Sequence, residues 1–405
     1  MLWRESRIRA IRRPSKDEPF SFKKIGIKFM RTNIYFTVTV DTEADDAWRV
    51  QDHIGMRNLS VIPRFQALCD AYDIVPTYML TYECTAREEA LRVLKPISDQ
   101  GRCELGYHFH SWTTPPLEQP SPEGVDLKWR YAYQYELPDS LFQEKAECLL
   151  KAIEGSYGVR PTSHRAGRWG IDQRTVDWLI EHHFIVDTSV VPLWDLSKLR
   201  GRRSGGPSFC ASPRTLFIWP HSIMDIAGPQ SIMEVPVTVH QSTHLLPALL
   251  AAYIQNGWAG QRTAARIYQK LIGGNGLLRP NPAYVDGYML KIIRSHLQSQ
   301  PTIINMMIHS SELMLGQSPF TRTREDLEKL WHGLRDAFVF VHRNNLKSLG
   351  ITASARMLEE MVTIYESPDF TPGFERRRRR GGILQETRRQ IFDHSRAPHY
   401  RNTAG

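Results

Sequence analysis

The sequence predicts an α/β fold: a single parallel (β/α) barrel-like domain, an irregular seven-stranded barrel carrying a helical insertion. Three observations lead there. From Asn33 onward, short β-type runs alternate with amphipathic helical runs, the beat of parallel strands joined by helical crossovers. Thr302–Ile308 is a near-continuous apolar run of the kind that is buried on both faces of a parallel sheet. Unusual polar residues also recur just where the runs end, and strand C-termini share the rim on which parallel α/β enzymes build their sites.

The elements follow in order. Ile34–Val40 reads as the first strand, and a helix from near Ser60 puts Ile62, Phe65, Leu68, Cys69 and Tyr72 on one face. Ile74–Leu80 reads as the second strand. Thr85 with Glu88 has the spacing of a capping box opening a helix to about Asp99, and Cys103–His108 makes the third strand. Asp139 is placed to cap a helix whose core stripe is Leu141, Phe142, Leu149, Leu150 and Ile153. Thr162–Arg165 and Phe184–Asp187 read as short strands flanking a helix capped by Asp172, and Met233–Val239 as another strand. A helix over about Glu325–His342 and a strand near Ser348–Thr352 close the domain. Residues 244–299 are too long for a plain crossover and read as the helical insertion.

Charge separates this body from its ends. The chain of 405 residues has a net charge of +9, yet residues 1–32 carry +7 and residues 374–405 carry +6, so the stretch between them is net negative. The expected organisation is a disordered basic segment over 1–32, the barrel-like domain over 33–365, and a disordered basic tail over 366–405. A basic groove for nucleic acid is therefore not expected, and the tails leave room only for weak contact with an acidic surface. Five cysteines without a CxxC pair argue against a disulfide framework. The first thirty residues lack the apolar stretch of a signal peptide, and the longest apolar run, Leu245 to Ile254, contains a proline and is too short to span a bilayer. A cytoplasmic protein with no transmembrane segment is the expectation.

The polar strand ends carry the chemistry. Asp41 and Glu43 follow the first strand, His108 and His110 the third, Arg165 and Asp187 the middle ones, and His309 the run Thr302–Ile308. Acids with two His suit a divalent metal such as zinc with one position left for water. His-x-His on an extended segment sends both imidazoles to one side, because side-chain direction alternates with period two. A competing set pairs His108 and Glu43 with Asp45 or Asp46 and turns His110 to the core. Two long loops, Ser111–Leu137 and Pro192–Pro213, are rich in Pro, Trp and Tyr. Trp112, Trp129, Tyr131, Tyr133, Tyr135 and Trp194 offer flat faces for sugar rings, or else pack the loops together.

These segments together resemble the polysaccharide deacetylase family, carbohydrate esterase family four, also called the chitooligosaccharide deacetylase homology domain. FTVTVDTE (Phe36–Glu43), ELGYHFHSW (Glu104–Trp112), HRAGRWG (His164–Gly170), Asp187–Ser189 and MIHSSEL (Met307–Leu313) match its five motifs in order, over about residues 33–355. The resemblance implies removal of acetyl groups from a carbohydrate or polysaccharide precursor. It casts Asp41 as the base, His309 as the acid, Arg165 as the group that holds Asp41 ionised, and Asp187 as support for Arg165 or His309. Glu43, His108 and His110 become the metal ligands, and Trp112, Trp169, Arg168 and Trp194 the substrate contacts. Two departures stand out: Thr42 separates the acids that are usually adjacent, and Trp112 occupies the place of the second motif's usual later His.

Two other functions fit parts of the sequence. A glycoside hydrolase working by paired carboxylates would use Asp41, Glu43 and Asp45 but leave the histidines idle. A carbohydrate-binding relative without catalysis is allowed by the missing His. Neither a G-x-S-x-G turn nor a phosphate-binding glycine loop is present.

Overall fold

The computed structural model describes residues 34–48, 54–118, 131–202, 204–222, 231–240, 276–284, 286–297 and 302–359. The two basic ends, Trp129 and most of the 244–299 segment lie outside the described residues. Strands are numbered β1 (Ile34–Thr42), β2 (Pro76–Leu80), β3 (Glu104–Phe109), β4 (Ser163–Ala166), β5 (Val186–Asp187), β6 (Phe217–Pro220), β7 (Ser231–Glu234), β8 (Val239–His240), β9 (Gly276–Leu277), β10 (Thr302–His309) and β11 (Lys347–Ser348). Helices are α1 (Ile62–Asp70), α2 (Glu83–Ala86), α3 (Glu88–Asp99), α4 (Asp139–Tyr157), α5 (Gln173–Glu181), α6 (Tyr288–His296), α7 (Arg324–Arg343) and α8 (Ile351–Arg356).

A parallel run β10-β1-β2-β3-β4-β5-β7 forms the core of a nine-stranded sheet, with β6 added antiparallel beyond β7 and β11 paired beside β1. The count differs from seven because Phe217–Pro220 and Lys347–Ser348 also pair, the latter over only two residues. Irregular chain after β7 spans the open side: Thr238 N–H donates to the Asn305 carbonyl of β10, and Leu278 N–H donates to Thr238. Among the described residues this is a curled, barrel-like sheet closed by loops rather than by a full ladder. Of the segment read as helical, the described part holds β9, which pairs with β8, and α6.

Period-two alternation sorts the side chains of β1. Phe36, Val38 and Val40 join the apolar layer that includes Phe65 of α1 and Phe338 of α7. Thr37, Thr39 and Asp41 point the other way and are equally buried. That second face is the concave one, because Arg165 of β4 donates to Thr39 although β2 and β3 lie between their strands. Thr39 in turn donates to Asn305, and Asn305 Nδ2 to Thr188. Arg165, Thr39, Asn305 and Thr188 thus form one connected polar network across the interior, while the neighbouring Thr37 hydroxyl is buried without a hydrogen-bond partner among the described residues.

Two helix starts differ from the sequence reading. Thr85 donates back to the Tyr82 carbonyl, so α3 begins after Arg87 without a side-chain cap. Asp139 is the first residue of α4 and pairs with Arg174 instead of capping. Asp172 does cap α5, accepting from Thr175 N–H at 3.0 Å. Met233–Val239 is not one strand: pairing stops at Glu234 and resumes at Val239 in a different sheet.

Candidate active site

The strand ends converge through register. Asp41 is the direct partner of His309 across β1 and β10, and His108 of Arg165 across β3 and β4. Glu43 lies two residues beyond Asp41, so the intervening Thr42, whose hydroxyl turns back to the Val40 carbonyl, leaves both acids on one face. His110 Nε2 is 3.2 Å from Glu43 Oε2, His108 Nε2 is 3.8 Å from the same oxygen, and the two imidazole Nε2 atoms are 3.0 Å apart. Glu43, His108 and His110 are buried, and their ligand atoms all lie within 4.8 Å of one another, a group that could hold a metal ion.

The donor chemistry fits a divalent cation. His108 Nδ1 is 2.9 Å from the Arg165 carbonyl, which can only accept, so Nδ1 carries the proton and the Nε2 lone pair faces Glu43 and His110. Trp112 stacks on His110 with ring centroids 4.2 Å apart. Gly167 makes room for that imidazole: a Cβ there would sit 2.6 Å from the Phe109 carbonyl oxygen and 2.8 Å from His110 Cδ2. Asp45 is occupied elsewhere, accepting from Asn58 N–H and side-chain Nδ2 and pairing with Arg57, so it fixes the loop after β1.

Asp41 stands beside this group. Arg165 Nη1 donates to it at 2.5 Å, and His309 Nε2 and His108 Nε2 approach its other oxygen at 3.7 and 4.0 Å. Burial alone would raise its pKa, but the Arg165 guanidinium, with His108 and His309, holds it below the ordinary carboxylate value. Glu43 is also depressed: burial opposes this, and His309 with the His108 and His110 contacts outweighs it. For His309 burial favours the neutral ring, yet Glu43, the hydrogen bond to Glu312 and Asp41 together raise its pKa. Its side chain is 15% exposed against 4% for Asp41 and 6% for Glu43, so His309 is the member that solvent reaches most readily.

Asp187 is placed differently from the expectation. Its strand partner is His164, not Arg165, so it lies on the sheet face opposite to Arg165 and pairs with His164 Nδ1 while accepting from Ser189. The residue that braces Arg165 is Thr188, through its carbonyl to Nε at 3.1 Å and its hydroxyl to Nη2 at 3.3 Å. His309 is braced by Glu312, three residues on in its own motif. Trp169 lies against Arg165, 5.2 Å from guanidinium carbon to ring centroid. Arg168 turns to the Tyr133 ring and the Arg200 carbonyl. Trp194 is partly buried against the core, its carbonyl bonded to Phe209 N–H.

The two long loops dock on each other. Tyr133 and Tyr135 stack at 5.0 Å and donate to the Leu199 and Gly205 carbonyls, while Glu136 accepts from Ser204 and from Arg202 N–H. These two tyrosines therefore pack loop to loop. Two further residues join these surroundings: Trp48, tilted against His309 with ring centroids 4.5 Å apart, and Arg279, which pairs with Glu312 at 2.6 Å. The His309-x-x-Glu312 spacing was a readable signal, whereas Trp48 and Arg279 had none.

These features define the class: a curled, parallel β/α barrel-like domain with a candidate Glu/His/His metal site on its strand-end rim. No protein-family model and no curated protein matches the sequence. Among solved structures the chain is similar to a Mycobacterium smegmatis protein provisionally assigned as a polysaccharide deacetylase, with TM-score 0.44 and 13% identity over 81% of this chain and 92% of that one. It is also similar to an allantoinase (TM-score 0.44, 14% identity, 85% and 98% covered). A third is the Bacillus subtilis peptidoglycan deacetylase PdaC (TM-score 0.35, 11% identity, 82% and 97% covered). At this level of likeness no residue role carries across. No helix among the described residues is long and apolar enough to cross a membrane.

Proposed function

We propose that the chain is a metal-dependent hydrolase that removes N- or O-acetyl groups from a carbohydrate or polysaccharide precursor. One arrangement carries this reading: the buried Glu43, His108 and His110 group beside an Asp41 paired with Arg165 and faced by His309. Glu43, His108 and His110 would hold a divalent ion, zinc by donor type. Such an ion supplies Lewis acidity, polarising an acetyl carbonyl and lowering the pKa of water.

The protein's own groups divide the proton work. Asp41, kept ionised by Arg165, accepts the proton of the attacking water. His309 donates its Nδ1–H to Glu312 and turns Nε2 toward Asp41 and Glu43, where in its protonated form it donates to the departing amine or alcohol. Attack forms the C–O bond to the acetyl carbon, collapse breaks the bond to nitrogen or oxygen, and acetate is released. Trp112 and Trp169 border the reacting groups and provide aromatic faces for a sugar ring, with Arg168 and Trp194 on the neighbouring loops.

The test is acetate release from a panel of acetylated glycans, with and without a chelator. Release that stops on chelation and returns with zinc supports the reading. Sugar binding with no acetate release supports a carbohydrate-binding protein instead, and chain cleavage that persists with chelator supports a carboxylate glycosidase.

A further inference from the structure

His309 sits in a closed ring of side chains drawn from four separate stretches of sequence. Its Nδ1 is 2.7 Å from Glu312 Oε1, and its own backbone N–H donates to the same oxygen at 3.1 Å. Glu312 pairs with Arg279 at 2.6 Å, and the Arg279 guanidinium carbon lies 4.3 Å from the centre of the Phe320 ring. Phe320 meets Trp48 edge-on at 5.6 Å, and Trp48 packs against the His309 ring at 4.5 Å with the two planes inclined at 58°. Glu312 is fully buried and Arg279 is 12% exposed, so the ion pair is shielded from water, although Arg279 Nε and Nη2 and Glu312 Oε2 make no well-directed hydrogen bond among the described residues. The chain around Arg279 is pinned as well: Leu278 N–H bonds to Thr238, and Met307 N–H of β10 bonds to Leu278.

We propose that Arg279 and Glu312 form a positioning pair that fixes the tautomer and direction of His309, with Trp48 packed against the ring at a tilt. The inference rests on the acid role proposed for His309. A carboxylate that accepts from both the backbone N–H and Nδ1 of one histidine allows a single arrangement: the proton stays on Nδ1 and Nε2 points at Asp41 and Glu43, each 3.7 Å away. Arg279 keeps the buried Glu312 ionised and therefore acceptor-only. The segment that looked like a peripheral insertion thereby contributes a residue that acts on the centre through one intermediary. A purely structural Glu312, closing the turn Ser310–Leu313 as a cap, would leave the imidazole tautomer and the rate unaffected.

The experiment uses the full chain with ¹⁵N-labelled histidine, the His309 signals being identified by their absence in His309→Gln. In the wild type the His309 Nδ1 resonance should be that of a protonated nitrogen. Glu312→Gln should shift it toward a mixture of tautomers and lower kcat by roughly tenfold or more with KM nearly unchanged, while Glu312→Asp restores part of both. Arg279→Lys should shift the same resonance less, and serves alone if Glu312→Gln does not fold. Unchanged His309 resonances in these variants overturn the proposal. If the wild type releases no acetate from any glycan, the functional reading fails while the nitrogen shifts still decide whether Glu312 sets the tautomer.

Discussion

The His108 imidazole donates through Nδ1 to the main-chain carbonyl of Arg165, its strand neighbour, at 2.9 Å. One bond thus sets the tautomer of a candidate metal ligand and ties it to the strand that carries the partner of Asp41. It leaves His108 Nε2 beside His110 Nε2 and Glu43 as a set of three. His108→Ala and His110→Ala should therefore each lose stoichiometric zinc in equilibrium dialysis. Full occupancy in His110→Ala alone would remove the His-x-His chelate.

Asp41 approaches no histidine more closely than 3.7 Å but is bonded to Arg165. Asp41→Asn should abolish turnover while the protein keeps its metal, because the amide cannot accept the water proton yet preserves shape. Metal analysis checks this; a metal-free variant would move Asp41 among the ligands.

Arg165 is fully buried, and its removal strands the Asp41 charge. Arg165→Met should cost about 3–5 kcal/mol in urea unfolding, the usual penalty for breaking a buried pair. The double variant with Asp41→Asn should recover part of that loss. Additive losses would show that the two groups are not coupled.

Gly167 abuts the Phe109 carbonyl and His110 Cδ2, and the carbonyl belongs to β3 and cannot yield. Gly167→Ala should weaken zinc binding by about 10–100-fold, comparable to loss of a group that orients a ligand. Titration of the apo protein decides, and an unchanged affinity would mean that His110 does not depend on this clearance.

His164 is buried, and burial outweighs Asp187 in pulling its pKa below the ordinary imidazole value. The folded state therefore resists protonation, and the unfolded chain takes up a proton once pH falls below about 6.5. His164 makes its full contribution above that pH and loses it as the solution is acidified toward the depressed folded value. Wild-type stability should drop between pH 7.5 and pH 5.5 by more than that of His164→Asn, measured by urea unfolding. An equal drop in both proteins would show that other groups set the acid limb.

By itself the sequence determined which polar residues end its β-type runs. Asp41, Glu43, His108, His110, Arg165 and His309 were legible because each ends a β-type run, and period two and parallel pairing are local rules that side-chain types reveal. Asp187 obeyed the same cue and still landed on the opposite face. Its register with His164 is set by pairing between strands, and a shift of one residue reverses every side chain. Only the tertiary structure could assign Thr188 to Arg165, or place Trp48 and Arg279 around His309, since those contacts join segments far apart in the chain. It likewise decided that Tyr133 and Tyr135 bind loop to loop, because an aromatic ring reads the same in sequence whether it faces a ligand or a neighbouring backbone.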